Sequence, residues 1–305
     1  MNTKPTLTVF TCTYNRAHTI GRTYESLCRQ TCKDFIWLVV DDGSIDNTGE
    51  LVKQWQIKDN DFEIQYTYKE NGGLHTGYNK AIELMDTELC VCIDSDDWMP
   101  DNAVEIIINS WKRYGNVNLA GIVGYDCLSN GQVLGDNFTE GKVVHYIKLK
   151  ESRKYNIDNK IVMRVDLLKK VAPQPSFPNE KNFNPIWLIL KIDEMVPFVL
   201  INKNLCIVDY QDGGMSYNLI NQYFNSPNSI LELRKLYISL KFASSLYKLK
   251  NYIHLIAQSF IARKNPFVES PSKLITCLFL PIGYMLYIYM CASHIRFNKN
   301  RSVQQ

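Results

Sequence analysis

FIWLVVDDGS, residues 35–44, is the stretch on which the fold turns: six apolar residues, three of them β-branched, end abruptly in two aspartates, a glycine and a serine. A run this short and without alternation reads as a strand buried on both faces, the kind found inside parallel sheets. Gly43 permits a tight turn, and Asp46, Asn47 and Thr48 supply cap chemistry for a helix through Gln56. The same rhythm extends in both directions. Upstream, LTVFTCT at residues 7–13 is a strand that leads through Thr13-Tyr14-Asn15-Arg16 into a helix over residues 16–31. Downstream comes a strand at 64–68, a turn at Asn71-Gly72-Gly73 and a helix from His75 to Met85. A fourth strand, residues 89–93, closes on Asp94-Ser95-Asp96-Asp97, and Asp101 is placed to cap a helix through Tyr114. Strands alternating with helices predict an α/β fold with a doubly wound, mostly parallel sheet. Ligands bind such sheets beyond the carboxyl ends of the strands, where each of these polar clusters falls.

Past residues 121–126 the rhythm breaks. Short strand-like pieces at 132–134 and 142–145 precede a polar stretch to Lys160, then a helix over 164–171. Residues 198–201 and 205–208 read as two further strands, and Asp212-Gly213-Gly214 as a turn. The expected organisation is one domain over residues 1–228, with a ligand-binding half (1–126) and a second half (127–228), followed by a helical extension over 229–305. With 46% hydrophobic and 21% charged residues the chain is globular rather than disordered.

The formal charge of +3 is unevenly spread. Nine Lys or Arg and a single acid, Glu269, lie between residues 241 and 301, a balance of +8 that leaves the remainder at −5. A basic tail on a mildly acidic body points to an anionic surface as its partner. Within that tail residues 274–292 carry no charge, and Pro281 and Gly283 interrupt them. About 20 apolar residues cross a bilayer. An interfacial hairpin flanked by Lys273 and Arg296, a span, and a buried core hairpin are the three readings. The nine cysteines include no C-x-x-C, which fits reduced packing residues in a cytosolic protein. Met1 to Pro5 runs straight into a strand with no secretory-signal pattern, so a cytoplasmic location is expected. The tail contains no nucleic-acid-binding module.

Asp94 and Asp96 carry the chemistry. Alternate residues of an extended chain face one side, so these carboxylates converge and repel one another unless a cation joins them. Oxygen ligands on a loop suit Mg²⁺ or Mn²⁺, with phosphate oxygens filling the remaining positions. The bland alternative is an acidic loop before a helix. Asp42 can present its carboxylate to a base or ribose, Tyr14 can stack on a base, and Arg16 can meet phosphate. Trp98 reads as a core aromatic more than a sugar platform.

T-x-T-Y-N-R, V-D-D-G-S-x-D-x-T, N-G-G-x-x-x-x-x-N and D-S-D-D-x-x-x-P, in this order over residues 5–125, resemble the inverting family 2 glycosyltransferases of the GT-A fold. The resemblance implies that Thr11, Tyr14, Arg16 and Asp42 line a nucleotide pocket, typically for uridine. It implies that Asn71, His75 and Asn79 flank the donor, with Ser95 beside it, and that Asp94 and Asp96 hold the metal, Mn²⁺ or Mg²⁺. Relatives often place a basic residue after N-G-G and an Arg before the Asn; here Leu74 and Tyr78 stand there, and His75 is the candidate for the phosphate contact. Inversion needs a carboxylate base, which relatives carry as a Glu-Asp pair. The matching stretch is Pro178-Asn179-Glu180-Lys181, so Glu180 is the candidate by position, with Asp158, Asp193 and Glu194 as rivals. Residues 210–216, YQDGGMS, resemble an acceptor-side segment of capsule- and envelope-polysaccharide members.

The expected activity is transfer of a sugar from a nucleotide-sugar, UDP-linked, to a glycan or lipid-linked saccharide at the cytoplasmic face of the inner membrane. A catalytically impaired nucleotide-sugar-binding or scaffold protein is the alternative, kept open by Lys181 and Tyr78. A sugar-phosphate nucleotidyltransferase is disfavoured, since no Gly-rich phosphate loop follows the first strand.

Overall fold

The computed structural model describes residues 5–152, 158–209 and 219–303, with side chains to residue 299. The chain forms two compact units, one of residues 1–174 with 188–211, the other of residues 175–187 with 212–305. The boundary expected after residue 228 thus falls inside the second unit.

The first unit is built on β1 (Leu7–Thr13), β2 (Phe35–Asp41), β3 (Glu63–Tyr68), β4 (Leu89–Cys92), β5 (Gly121–Leu128), β6 (Val143–Val144), β7 (Asn159–Arg164) and β8 (Phe198–Val208). They form a single sheet in the order β3-β2-β1-β4-β7-β5-β8-β6. β3, β2, β1 and β4 run parallel, as do β5 and β8, while β7 and β6 are antiparallel to their neighbours. Every residue of β1 and β2 is buried, as their unbroken apolar runs require of strands covered on both faces. Trp37 of β2 is fully buried and stacks with Tyr24 and Trp55 at ring separations of 6.0 and 5.9 Å.

Helices α1 (Ile20–Cys28), α2 (Thr48–Gln56), α3 (Leu74–Leu84) and α4 (Ala103–Tyr114) connect the first strands as expected. Shorter helices follow: α5 (Tyr146–Glu151), α6 (Val165–Val171) and α7 (Ile186–Asp193). Three local expectations fail. Asp101 does not cap α4; its carboxylate takes Arg29 Nε at 3.1 Å instead. The two strands expected at 198–208 are the single strand β8. Residues 159–164, read as the end of a polar stretch and the start of a helix, form β7, inserted between β4 and β5.

The second unit is helical: α8 (Leu219–Asn225), α9 (Pro227–Ser239), α10 (Ser245–Ile261), α11 (Pro266–Glu269) and α12 (Lys273–Val303). α12 is one continuous helix through Pro281, not a hairpin. Gly283 is where it meets α10, since a Cβ there would lie 2.5 Å from the Ile256 side chain. Lys273–Lys299 is long and apolar enough to cross a membrane, and only 17% of its apolar window is buried, unlike a core helix. Leu274, Leu278, Met285, Ile288 and Tyr289 are exposed along it.

Candidate active site

The tips of β1 and β2 are tied together by polar groups of the loops that follow them. Asn15 adopts a left-handed φ of 53°, a conformation asparagine tolerates. Its backbone N–H donates to Ser44 Oγ (2.9 Å), and its side-chain oxygen accepts from Ile45 N–H (2.8 Å). Arg16 N–H donates to Thr48 Oγ1. This leaves the Tyr14 ring 46% exposed at the end of β1.

The adjacent aspartates at the end of β2, each buried, have separate tasks. Asp41 accepts from Ser44 N–H and from the Tyr66 hydroxyl, both at 2.8 Å. Asp42 accepts from Gly72 N–H (3.0 Å), Gly73 N–H (2.8 Å) and Lys69 Nζ (2.5 Å). Asn71 Nδ2 returns a bond of 2.7 Å to the Asp42 carbonyl. Gly43, at φ 87°, is obligatory, because a Cβ would sit 2.8 Å from Asn71 N. Asp42 therefore holds the N-G-G turn, and any nucleotide contact it makes comes from a carboxylate that already has three donors.

Other expected donor residues also have structural tasks. Thr11 is buried and its hydroxyl accepts from Trp37 Nε1 at 3.1 Å. Asn79 pairs both ways with the Gln174 backbone at 2.8 Å, holding the chain after α6. His75 is fully buried in α3, so its ring presents no surface to a phosphate. A cleft of about 540 Å³, lined by Lys69, Thr76, Asn79, Lys80, Lys169 and Pro173 among others, includes Asn79 but none of the β4-tip carboxylates.

At the tip of β4, Asp94 is exposed, Asp96 half-buried, and Ser95 and Asp97 buried. Helix α1 grips this turn from behind by its backbone: Thr23 Oγ1 donates to Asp97 O (2.8 Å) and Arg22 Nη2 to Asp96 O (3.3 Å). The half-buried Trp98 lies under the Arg22 guanidinium at 5.2 Å. The carboxylates crowd one another. The protein around Asp94, then the charges of Asp96 and Asp158, push its carboxyl up against the opposing pull of Lys160. Burial, reinforced by neighbouring acids, pushes Asp97 up to about 7 and Asp126 up to about 6.

Sequence reasoning did not find Lys160. It stands on β7 opposite Gly124 of β5, with Nζ 3.9 Å from Asp126 Oδ1. Burial works to lower its ammonium, but Asp126, Asp97 and Asp94 overcome that and hold it well above its ordinary value. The available signal was a lysine at the head of the apolar run Ile161-Val162-Met163, a costly place for a charge without a partner.

The rival bases separate clearly. Glu180, buried in the second unit, follows Asn179 at φ 63°. It accepts from the N–H and Nδ2 of Asn228 (2.9 and 2.7 Å) and from the N–H and Oγ of Ser229 (both 2.7 Å). Asp193 is likewise engaged, accepting from Tyr146 N–H (2.6 Å) and Ile147 N–H (3.1 Å) at the start of α5. Asp158 is exposed, and its charge reaches Asp94, Asp126 and Lys150. The YQDGGMS segment lies outside the described residues.

No set of three His, Cys, Asp or Glu side chains among the described residues is arranged to hold a metal by itself. The donor set still fits Mg²⁺ or Mn²⁺, which are commonly held by one or two carboxylates plus substrate phosphates. Asp94 and Asp96 supply such a pair at an open strand tip, and their mutual repulsion is what an added cation relieves.

Known proteins resemble this chain in sequence and in fold. The chain resembles the glycosyltransferase GlyA of Streptococcus pneumoniae at 32% identity over 35% of its length, but spans only 15% of that protein. It is 25% identical to the glycosyltransferase GlyG of the same organism, over 66% of this chain and 70% of that one. Among solved structures, S. aureus TarS (residues 1–349) in complex with UDP-GlcNAc superposes with a TM-score of 0.60 at 16% identity, covering 90% of this chain and 79% of that one. The mannosyltransferase PcManGT of Pyrobaculum calidifontis, in complex with GDP-Man and Mn²⁺, superposes at 0.56 and 16% identity, over 94% of this chain and 82% of that one. The fold is thus GT-A. Residues 8–171, more than half of the chain, match the sequence pattern of glycosyl transferase family 2, and the chain belongs to that family.

Proposed function

We propose that this chain transfers a sugar, with inversion, from a nucleotide-sugar to a hydroxyl of a glycan or lipid-linked saccharide in cell-surface polysaccharide synthesis. The observation that carries the reading is the pair Asp94 and Asp96, open at the carboxyl edge of the parallel strands and backed by the buried Lys160–Asp126 pair. TarS in complex with UDP-GlcNAc supports a UDP-linked donor, and the Mn²⁺ with PcManGT supports a divalent cation.

In this mechanism Tyr14 stacks on the base, and the turn held by Asp42 and Asn71 shapes the donor pocket. Asp94 and Asp96 would hold Mn²⁺ or Mg²⁺, which when bound supplies positive charge to the diphosphate as its bond to the sugar breaks. Lys160 keeps Asp126 and Asp97 from adding their full negative charge beside it. The base must take a proton from the acceptor hydroxyl on the face opposite the leaving group. Glu180, with four donors on its two oxygens, is better suited to clamping α9. Asp158, exposed beside the acidic tip, takes the base role in this account. The exposed apolar side of α12 and the basic residues around it favour attachment to the cytoplasmic face of the membrane, each cation near an anionic leaflet contributing ~1 kcal/mol.

A second reading has a specific observation behind it: with Glu180 and Asp193 both locked in structural bonds, the chain could bind a nucleotide-sugar without turning it over. Release of UDP from UDP-sugars in the presence of Mn²⁺ and a lipid-linked acceptor separates the two. The enzyme releases UDP and its Asp96→Asn variant does not. Tight donor binding without release, at every acceptor offered, would leave only the binder.

A further inference from the structure

The second unit holds a cavity that the donor-site reading does not use. About 140 Å³ in volume, it is lined by Asn182, Asn184, Gln222, Tyr223, Arg234 and Tyr237 among others. At ~30 Å³ per liquid water this is the space of roughly five waters, enough for a phosphate or a carboxylate group.

Arg234, half-buried on α9, sets the chemistry of this cavity. A guanidinium has five N–H donors. Here Nη1 gives one bond to Asn251 Oδ1 (2.8 Å) and Nη2 one to the Tyr223 hydroxyl (2.9 Å). Nε is buried without a hydrogen-bond partner. Both acceptors are neutral, and among the described residues no carboxylate pairs with Arg234. The nearby acids on the same helix and on α11, Glu232 and Glu269, both pair with Lys235. Burial, then the charges of Arg234 and Lys250, push the His254 imidazole down to about 4. Neutral at physiological pH, that ring adds no second positive charge beside the guanidinium. The rings of Tyr223 and Tyr237 lie 5.9 and 5.7 Å from the guanidinium carbon and help hold its plane.

An arginine that only tied helices together would gain from facing a carboxylate, because a partly buried cation without a counter-ion bears a desolvation cost. This one faces neutral oxygens and lines a cavity beside three carboxamides. We propose that the cavity binds one anionic group, a phosphate or a carboxylate, carried by a polar ligand whose hydroxyls meet Asn182, Asn184 and Gln222. The planar fork of Arg234 matches two oxygens of such a group. The site lies wholly in the second unit and does not depend on the donor-site reading.

The test uses the full chain, ¹⁵N-labelled at arginine, with the Nε–Hε resonance of Arg234 identified by its loss in Arg234→Lys. Inorganic phosphate, sodium glucuronate and glucose are titrated in separate arms. The expected result is a saturable shift of that resonance with phosphate, with glucuronate or with both, and none with glucose. A response to phosphate alone assigns a phosphate-bearing ligand, and one to glucuronate alone a carboxylate. A resonance that neither anion moves, or that glucose moves equally, overturns the proposal. Phosphate can also reach the first unit, so affinity is measured in parallel on Arg234→Gln of confirmed circular dichroism. At least a tenfold loss of affinity at the second-unit site is expected. If that variant does not fold, the wild-type titration still decides.

Discussion

Replacing Glu180 by Gln keeps the shape of the side chain and removes its charge. In the native protein its two oxygens take four bonds of 2.7–2.9 Å from Asn228 and Ser229 at the start of α9. A glutamine accepts at one oxygen only, and its amide group turns two hydrogens toward donors. At least one buried N–H is left unsatisfied, which costs ~1–3 kcal/mol. Loss of negative charge at the first turn of a helix adds ~0.3–1 kcal/mol. Together these give about 1.3–4 kcal/mol, or a fall in Tm of roughly 6–18 °C for a unit of about a hundred residues. Calorimetry of the variant, alongside transfer measured below its melting range, reads both quantities. The account predicts a clear drop in Tm and a kcat for the folded fraction within about threefold of wild type. The opposite pattern would refute it: unchanged melting with turnover reduced by the ~100- to 10,000-fold that a general base contributes makes Glu180 the base after all.

Asp158→Asn is expected to cut turnover by that same ~100- to 10,000-fold while donor affinity in calorimetric titration stays intact; full activity would remove Asp158 from the mechanism. Asp126 has a folded-state pKa raised to about 6 by burial, against an ordinary ~3.9. Its contribution to stability is therefore fully present below pH ~4 and lost as pH rises through ~6, a swing of about 3 kcal/mol by pH 7. Asp126→Asn should flatten urea-derived stability between pH 4 and 7 by that amount, and parallel profiles for variant and wild type would contradict the shift. Leu278→Glu with Ile288→Glu places two charges on the exposed side of α12, and co-flotation with anionic vesicles should fall sharply. Unchanged flotation would detach α12 from the membrane reading.

The parallel half of the fold was legible because its strands are short, apolar and stopped by polar clusters, a pattern that few other structures satisfy. The tail of the sheet was not. β7 begins with Asn159 and Lys160, so its apolar core of three residues looked like the approach to a helix. Its pairing with β4 and β5 comes from tertiary contacts, and with it came the whole Lys160–Asp126 arrangement behind the acidic tip. Composition likewise gave the acids of the site but not their duties. Asp41 and Asp42 are indistinguishable in sequence, yet one fixes Ser44 and Tyr66 and the other the Gly72-Gly73 turn. The Pro281–Gly283 pair misled in the other direction. Proline within a helix removes one hydrogen bond and often bends it, but α12 runs through both residues, and the glycine serves as its contact with α10.

The most direct test of the acidic-tip site is a thermal-shift titration with UDP-sugars, run with and without Mn²⁺, on wild type and Asp96→Asn. A donor at ~100 times its dissociation constant stabilises a protein by ~2.7 kcal/mol. The predicted result is stabilisation of the wild type that requires Mn²⁺ and is absent in Asp96→Asn. Equal stabilisation of both proteins, or a shift indifferent to Mn²⁺, would contradict the assignment of Asp94 and Asp96.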